Sequence, residues 1–466
     1  MKGAAGEDRL EALQLELELL PRQNQPGVLT ASGDVKAQSE RRGVSRRLET
    51  SVLRLFFAAA TRPGERRLDH AEAEPAANLE WTALSPSGSK AAQETTRLRG
   101  QRLAAQFDAN NQLRTLTGHD GVEIERRLPG RAAQTTTARE FTAQFSPGGE
   151  WSEVDEQGSV RLREADRSAE ADHAVILRST DTITLTGSVV LADSATRTTA
   201  KMVAFNQRTG DLRAEGDVRT TELSPGRTGV TNLAPQPAHL SSDRLQANSS
   251  GGRAVYSGHA RLWQGDAVVE ADSIELLRDA QRLNARGNVA AVFPQAASSS
   301  SNSPGSPSGL PRAPGKAAGP DLWRVRAGTL SYSSAEARAR LEQSVSAQSR
   351  QGQISSQTLD LFFSPQPSSP GPSAGVGALQ LVRALASGGV TVRPGPLQDE
   401  RRGTSERAEY VVAEGKFVLS GGHPTLYDAY RGTTTGRQLT FFFADDTIVV
   451  DSGEGSRTLT RHRVEK

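Results

Sequence analysis

Apolar and polar residues alternate along most of this chain in short runs. Each run reaches a glycine, then a small or polar residue, and often a valine. The clearest copies are Ile183-Thr-Leu-Thr-Gly187-Ser-Val189-Val-Leu191, Leu212-Arg-Ala-Glu-Gly216-Asp-Val218 and Leu283-Asn-Ala-Arg-Gly287-Asn-Val289. Weaker copies at Leu29–Val35 and around Gly118, Gly158, Gly258, Gly389 and Gly421 extend the pattern. Alternation with a period of two predicts half-buried β-strands. In Ile183, Leu185, Val189 and Leu191 one face is apolar, while the other carries Thr and Ser. The glycine interrupts the run, as expected where a strand bends or bulges.

The copies recur at a regular interval. Gly187 to Gly216 and Gly258 to Gly287 are both 29 residues, and Gly389, Gly421 and Gly453 are spaced by 32. Such a period predicts a stack of supersecondary units. A second alternating run lies between the glycine-bearing ones, as in Ala171-Asp-His-Ala-Val175-Ile-Leu177, Lys201-Met-Val-Ala-Phe205 and Ala271-Asp-Ser-Ile274-Glu-Leu276. Each unit therefore reads as strand, turn, strand. Little predicts helix. The leucines of Leu10 to Leu20 admit one amphipathic helix, but strict alternation from Leu13 to Leu19 favours a strand.

Residues 296–320 and 364–377 are rich in Ser, Pro and Gly and too poor in large apolar groups to pack. The chain therefore divides into an N-terminal segment 1–26, a β-repeat block 27–222, a loop 223–237, repeats 238–295, a disordered linker 296–320, repeats 321–363, a second linker 364–377 and C-terminal repeats 378–466. The expected class is all-β, a β-solenoid of repeated strand pairs.

Composition sharpens this picture. Apolar residues are 35% of the 466 and aromatics only 5%. Such a chain suits an extended β structure with a narrow interior better than a bulky core. The net charge of +2 and the absence of a basic stripe argue against nucleic acid. Seven Lys leave the basic residues mostly Arg, which pairs well with phosphate but is also common on any surface. The chain has no Cys, so disulfides, thiolate metal sites and Cys nucleophiles are excluded. Acids interleave with the leucines of Met1 to Leu20, so no secretory signal is visible there, and no apolar run is long enough for a membrane-spanning helix.

Candidate chemistry is thin. Gly371-Pro-Ser373-Ala-Gly375 has the spacing of a nucleophile elbow but lies inside a Pro/Ser linker. Gly309 to Lys316 misses the phosphate-loop spacing and the following Ser/Thr. The seven His are scattered; His119, His259 and His423 follow repeat glycines, where solvent-facing turns are expected. Asp445-Asp446 reads as a solvated turn, and the acids Glu215, Asp217, Glu270, Asp272 and Glu275 read as outward or turn residues. No catalytic residue, metal site or cofactor is expected. A β-helix enzyme would need acids converging in one cleft.

An apolar interior walled by Val, Leu, Ile and Ala can fill itself or leave room for alkyl chains. Each buried methylene stabilises by about 0.8 kcal/mol, so a chain of roughly a dozen carbons gains about 10 kcal/mol before ordering costs. Pattern alone does not choose between the two.

The stretch from Tyr256 to Val289 contains Gly258-His-Ala-Arg-Leu-Trp-Gln-Gly265-Asp, then Ala271-Asp-Ser-Ile274-Glu-Leu276, then Leu283-Asn-Ala-Arg-Gly287-Asn-Val289. It resembles the LptA/OstA-like family of lipopolysaccharide-transport bridge proteins, with relatives in LptC and the N-terminal part of LptD. The resemblance implies an antiparallel β-jelly-roll, V-shaped in section, whose interior carries the acyl chains of lipid A without catalysis. It implies a periplasmic location, which the start of this chain does not itself announce. As partners it implies lipopolysaccharide and other transport proteins joined by β-strand edges, with head-to-tail homo-oligomers a further arrangement. The inward, lipid-contacting positions would be Ile183, Leu185, Val189, Leu191, Val203, Phe205, Leu262, Val268, Ile274, Leu276, Leu283 and Val289. The chain is longer than a single bridge protein, which suggests an LptC-like front fused to LptA-like repeats. A structural, adhesin-like solenoid with a filled core is the alternative.

Overall fold

The computed structural model describes residues 8–20, 25–41, 44–58, 67–83, 94–147, 149–223, 236–248, 251–295, 321–350, 352–365, 379–394, 401–429, 432–442, 447–452 and 459–461. Among them there is no α-helix, and all the pairings described are antiparallel. The all-β class expected from alternation is the class observed.

Two compact units divide the chain, Met1–Gly216 and Asp217–Lys466. The first contains β1 (Asp8–Glu11), β2 (Gln14–Leu19), β3 (Pro26–Arg41), β4 (Val44–Ala58), β5 (Arg67–Glu74), β6 (Ala77–Ala83), β7 (Thr95–Phe107), β8 (Leu113–Arg127), β9 (Gln134–Ala138), β10 (Glu140–Phe145), β11 (Trp151–Glu164), β12 (Arg167–Leu177), β13 (Thr182–Ala192) and β14 (Thr196–Asn206). β15 (Asp211–Glu222) runs across the division. The second unit contains β16 (His239–Asn248), β17 (Arg253–Gln264), β18 (Ala267–Leu277), β19 (Arg282–Gln295), β20 (Asp321–Ser333), β21 (Arg338–Ser349), β22 (Gly352–Pro365), β23 (Leu379–Pro394), β24 (Arg401–Val411), β25 (Lys416–Ser420), β26 (Thr425–Asp428), β27 (Gly432–Thr435), β28 (Gln438–Phe442), β29 (Thr447–Asp451) and β30 (Leu459–Arg461).

Within each unit the strands follow an up-and-down order. The long ones are bent once near the middle, so each has two limbs. Where the bend interrupts a strand, two short strands share one long neighbour: β5 and β6 both pair with β4 and β7, and β9 and β10 both pair with β8 and β11. The Ser/Pro/Gly segment 296–320 joins β19 to β20, which pair directly, Gln295 opposite Asp321. That segment, and 366–377 of the second one, lie outside the described residues.

The repeat glycines make the bends. At each corner one strand carries an extra residue, and the register shifts between Ser257 and Ala260 and between Arg286 and Val289. Gly287 and Asn288 both adopt left-handed conformations, with φ of +76° and +49°, as do Gly258 and His259. Two consecutive left-handed residues turn the chain sharply, and glycine adopts the first without a Cβ penalty. Space demands glycine as well: a Cβ on Gly287 would lie 2.8 Å from Cγ of Asp272, the residue stacked over it from β18. Asp272 accepts from Asn288 Nδ2 at 3.0 Å. The Ala-Asp-x-Ile and Gly-Asn-Val motifs are thus two halves of one corner.

Candidate functional site

Cross-strand register places inward side chains in continuous rows. In the first unit one row at the base of a limb runs Leu15, Ala31, Leu53, Ala73, Leu103, Gly118, Phe141, Glu156, Ala174, Leu185, Val203. Two residues further along each strand lies a parallel row nearer the strand ends: Leu17, Leu29, Leu55, Ala71, Ala105, Leu116, Ala143, Val154, Ile176, Ile183, Phe205. Every member is apolar. Leu29, Leu55, Val154, Ile176, Ile183 and Phe205 are only half-buried, so this lip keeps apolar surface in reach of solvent. The other limb has an inner row of Leu10, Ala37, Leu48, Leu79, Leu98 and Ile124, but beyond it the inward positions are Arg46, Trp81, Thr96, Arg126 and Gln134. One lip is apolar and the facing one is largely polar.

β2 begins this interior and has no second neighbour among the described pairings. Its Leu13, Leu15, Leu17 and Leu19 are 83, 55, 54 and 52% exposed, and Leu15 and Leu17 continue the two interior rows. The expected strand at Leu13–Leu19 is present, with its apolar face uncovered at an edge.

Glu156 breaks the base row. It is 1% exposed, between Phe141 on one strand and Ala174 on the next, and its Oε2 has no hydrogen-bond partner among the described residues. Burial, with the neighbouring Asp155 adding to it, pushes its carboxyl up to about 8. Asp155 itself reaches Nε2 of His173 at 3.0 Å.

In the second unit the row that matches the lip is closed: Leu276, Leu283, Tyr332, Ala339, Leu361, Ala384, Tyr410 and Phe417 are all buried. Leu240, Leu262, Val269, Ala291, Val325, Ala347, Ile354 and Val392 form a row on the other limb, each no more than 2% exposed. Leu245, Tyr256, Ile274, Ala285, Leu330, Leu341 and Leu359 form another, all buried. Rings fill the space. Trp323 lies 5.7 Å from Tyr410, Tyr410 stacks on Phe417 at 4.5 Å, and Phe293 lies 5.4 Å from Phe363. Tyr332 is buried in the same interior; its hydroxyl has no partner among the described residues and burial pushes it to about 12.

The expected inward residues fall into three groups. Ile183 and Phe205 are on the half-buried lip, Leu185 and Val203 in the base row below, and Val189 (buried) and Leu191 (half-buried) on the other limb. Leu262, Ile274, Leu276, Leu283 and Val289 are inward but sealed by the protein's own atoms. Val268 corrects the expectation: it faces out. Leu262 pairs with Val269, whereas Val268 pairs with Trp263, which stacks on His239 at 5.2 Å and lies under Arg261. Counting by twos back from Ile274 fails because the corner at Asp272 changes which parity points inward.

The other motifs contribute no assembled chemistry. Among the described residues no three of His, Asp and Glu come together as metal ligands, and no helix is long and apolar enough to cross a membrane. Residues 371–375, 309–316, 445–446, Gly453 and His462 lie outside the described residues. His259 is solvent-facing, with Nδ1 3.0 Å from Asp243. Glu156 was not foreseen, although the repeat holds the signal. It stands two residues before Gly158, the slot that holds Ala31, Leu185, Ala214, Tyr256 and Ala285 before their own glycines.

Bent antiparallel strands, bulged corners and aligned apolar rows define a repeat-built all-β fold with an apolar interior. Residues 239–445 match the family described as LptA/(LptD N-terminal domain) LPS transport protein, and the match supports the LptA/OstA-like resemblance over that stretch. The crystal structure of LptH, the LptA homologous periplasmic component of the lipopolysaccharide transport device from Pseudomonas aeruginosa, aligns over 32% of this chain and 97% of its own, at 14% identity and a TM-score of 0.22. No curated protein matches the sequence.

Proposed function

We propose that this chain is a non-enzymatic, periplasmic carrier in lipopolysaccharide transport, and that the apolar lip of its first unit holds lipid acyl chains. The observation that carries the reading is the eleven-strand apolar row from Leu17 to Phe205, much of it half-buried. An alkyl chain laid along it removes apolar surface from water on both partners. The polar lip opposite carries Arg46 and Arg126, the latter ion-paired with Glu94, and exchange of that carboxylate for a phosphate suits the charged end of a phosphorylated lipid. The uncovered leucines of β2 extend the trough to an open edge, where a strand of another β-jelly-roll adds by main-chain pairing and buries them. Such stacking makes a bridge between membranes.

The second unit favours a different role. Its inward rows are buried and Trp323, Tyr410, Phe417, Phe293 and Phe363 pack within it, which suits a rigid part of the bridge rather than an acyl-chain site. Photo-crosslinkers at Ile176 and Phe205 are expected to capture lipopolysaccharide, whereas those at Ile274 and Val268 stay silent. Capture at Ile274 with silence at both lip positions would reverse the assignment of the units; silence everywhere would leave the filled solenoid.

A further inference from the structure

We infer that Glu156 is a polar subsite inside the lipid trough, where its carboxylic acid donates a hydrogen bond to an ester or amide carbonyl of a bound acyl lipid. The inference rests on the lipid-carrier reading and deepens it. Three observations place the group there. It occupies the one slot of the base row filled by an acid, between Phe141 and Ala174. Its Oε2 is buried without a partner among the described residues. Two residues along the same strand, about 7 Å away at strand spacing, Val154 belongs to the half-buried lip on which the acyl chain would lie, flanked by Ala143 and Ile176. Rotation about the Glu156 side-chain torsions spans most of that distance.

The surroundings specify what the acid can do. The base of the facing limb offers Val122, Ala138, Val160 and Ala171, all apolar. The charged group that acts on it, Asp155, is joined to His173, and Arg139 and Glu140 on the neighbouring strand segment are exposed. A carboxyl held neutral until about pH 8 is a donor at neutral pH. An acyl carbonyl is an acceptor only, so it needs that proton. A purely apolar cargo leaves the acid unpaired, which costs free energy in a dry site. The subsite therefore reads where the hydrocarbon of the cargo meets its first carbonyl.

The test compares a long-chain fatty acid methyl ester with the n-alkane of equal length, each displacing a fluorescent apolar dye from the full chain. The expected result at pH 6.5 is a preference for the ester, after correction for the two compounds' partition from water into octane, of about tenfold, the worth of one hydrogen bond. As pH rises through 8 the acid ionises, the donor is lost, and the preference disappears by pH 9.5, with circular dichroism confirming the fold. Glu156→Gln keeps an N–H donor and so keeps the preference at every pH. Glu156→Leu binds the alkane at least as well as the wild type and no longer prefers the ester. Equal corrected binding of ester and alkane by the wild type at pH 6.5, or a preference unchanged at pH 9.5, overturns the subsite and leaves the carrier standing. Displacement by neither compound removes the carrier reading and the subsite with it. Should Glu156→Leu fail to fold, the pH profiles of the wild type and Glu156→Gln decide alone.

Discussion

At the scale of residues, the fold depends on corners that few sequences satisfy. Gly287 meets two demands at once: a left-handed backbone, and no Cβ beneath Asp272. Gly287→Ala is expected to destabilise the second unit by about 2–4 kcal/mol, combining left-handed strain with the clash. Adding Asp272→Ala relieves the clash and recovers part of the loss, leaving roughly 1–2 kcal/mol of strain. Urea unfolding followed by the fluorescence of buried Trp323 measures both; a fully neutral Gly287→Ala contradicts the corner. The same corners explain what the sequence made legible. Glycine spacing and alternation located the strands, because a bend needs glycine and a half-buried strand needs alternation. Val268 was misplaced for the same reason, since a bulge resets the parity that alternation assumes. Glu156 was missed because an acid two residues from a glycine looks like any turn-flanking charge until the repeats are superposed on their corners.

At the scale of elements, β2 stands apart from the strands that follow it. In the interior of a stack each strand is paired on both sides, and its inward leucines are buried or half-buried. β2 pairs only with β3 among the described strands, yet it alternates Leu with Gln and Glu as a covered strand would. A long apolar edge is a template for another strand, and proteins that avoid association break such edges with charge on the apolar face or with proline. Here the charges of Glu16 and Glu18 lie on the outward face and leave the leucines clean. The account predicts concentration-dependent self-association of the purified chain, lost in the Leu15→Asp/Leu17→Asp variant. Because both positions are more than half exposed in the isolated chain, the double substitution should change its own stability by no more than about 1 kcal/mol. Sedimentation velocity separates the outcomes: a wild type that stays monomeric, or a double variant that associates equally well, contradicts pairing through this edge. Lengths of the elements were not readable in advance. The sequence shows where a strand bends, but whether a bend leaves one long strand, as in β11, or two short ones, as in β9 and β10, depends on hydrogen bonds across the corner.

At the scale of the whole molecule, one repeat builds two interiors with different side chains. The same glycine-punctuated pattern builds both units, and only the side chains that fill the interior separate them. The first unit has mostly aliphatic walls with Phe141 and Phe205 among them, a half-buried lip and, among the described residues, one buried acid; the second has Trp323, Tyr410, Phe417, Phe293 and Phe363 packed within it. Alternation reports which side faces in and nothing about whether the inside is vacant, so this division was invisible in the sequence pattern. The chain has no cysteine, so a single introduced thiol carries a spin label without background. Nitroxides at Ile183, in the lip, at Leu359, in the filled interior, and at Val268, outside, give the most direct test. On adding lipopolysaccharide the account predicts that the Ile183 label alone loses accessibility to a water-soluble relaxation agent and gains accessibility to oxygen. An unchanged Ile183 signal at saturating lipopolysaccharide, or an equal change at Val268, would contradict it.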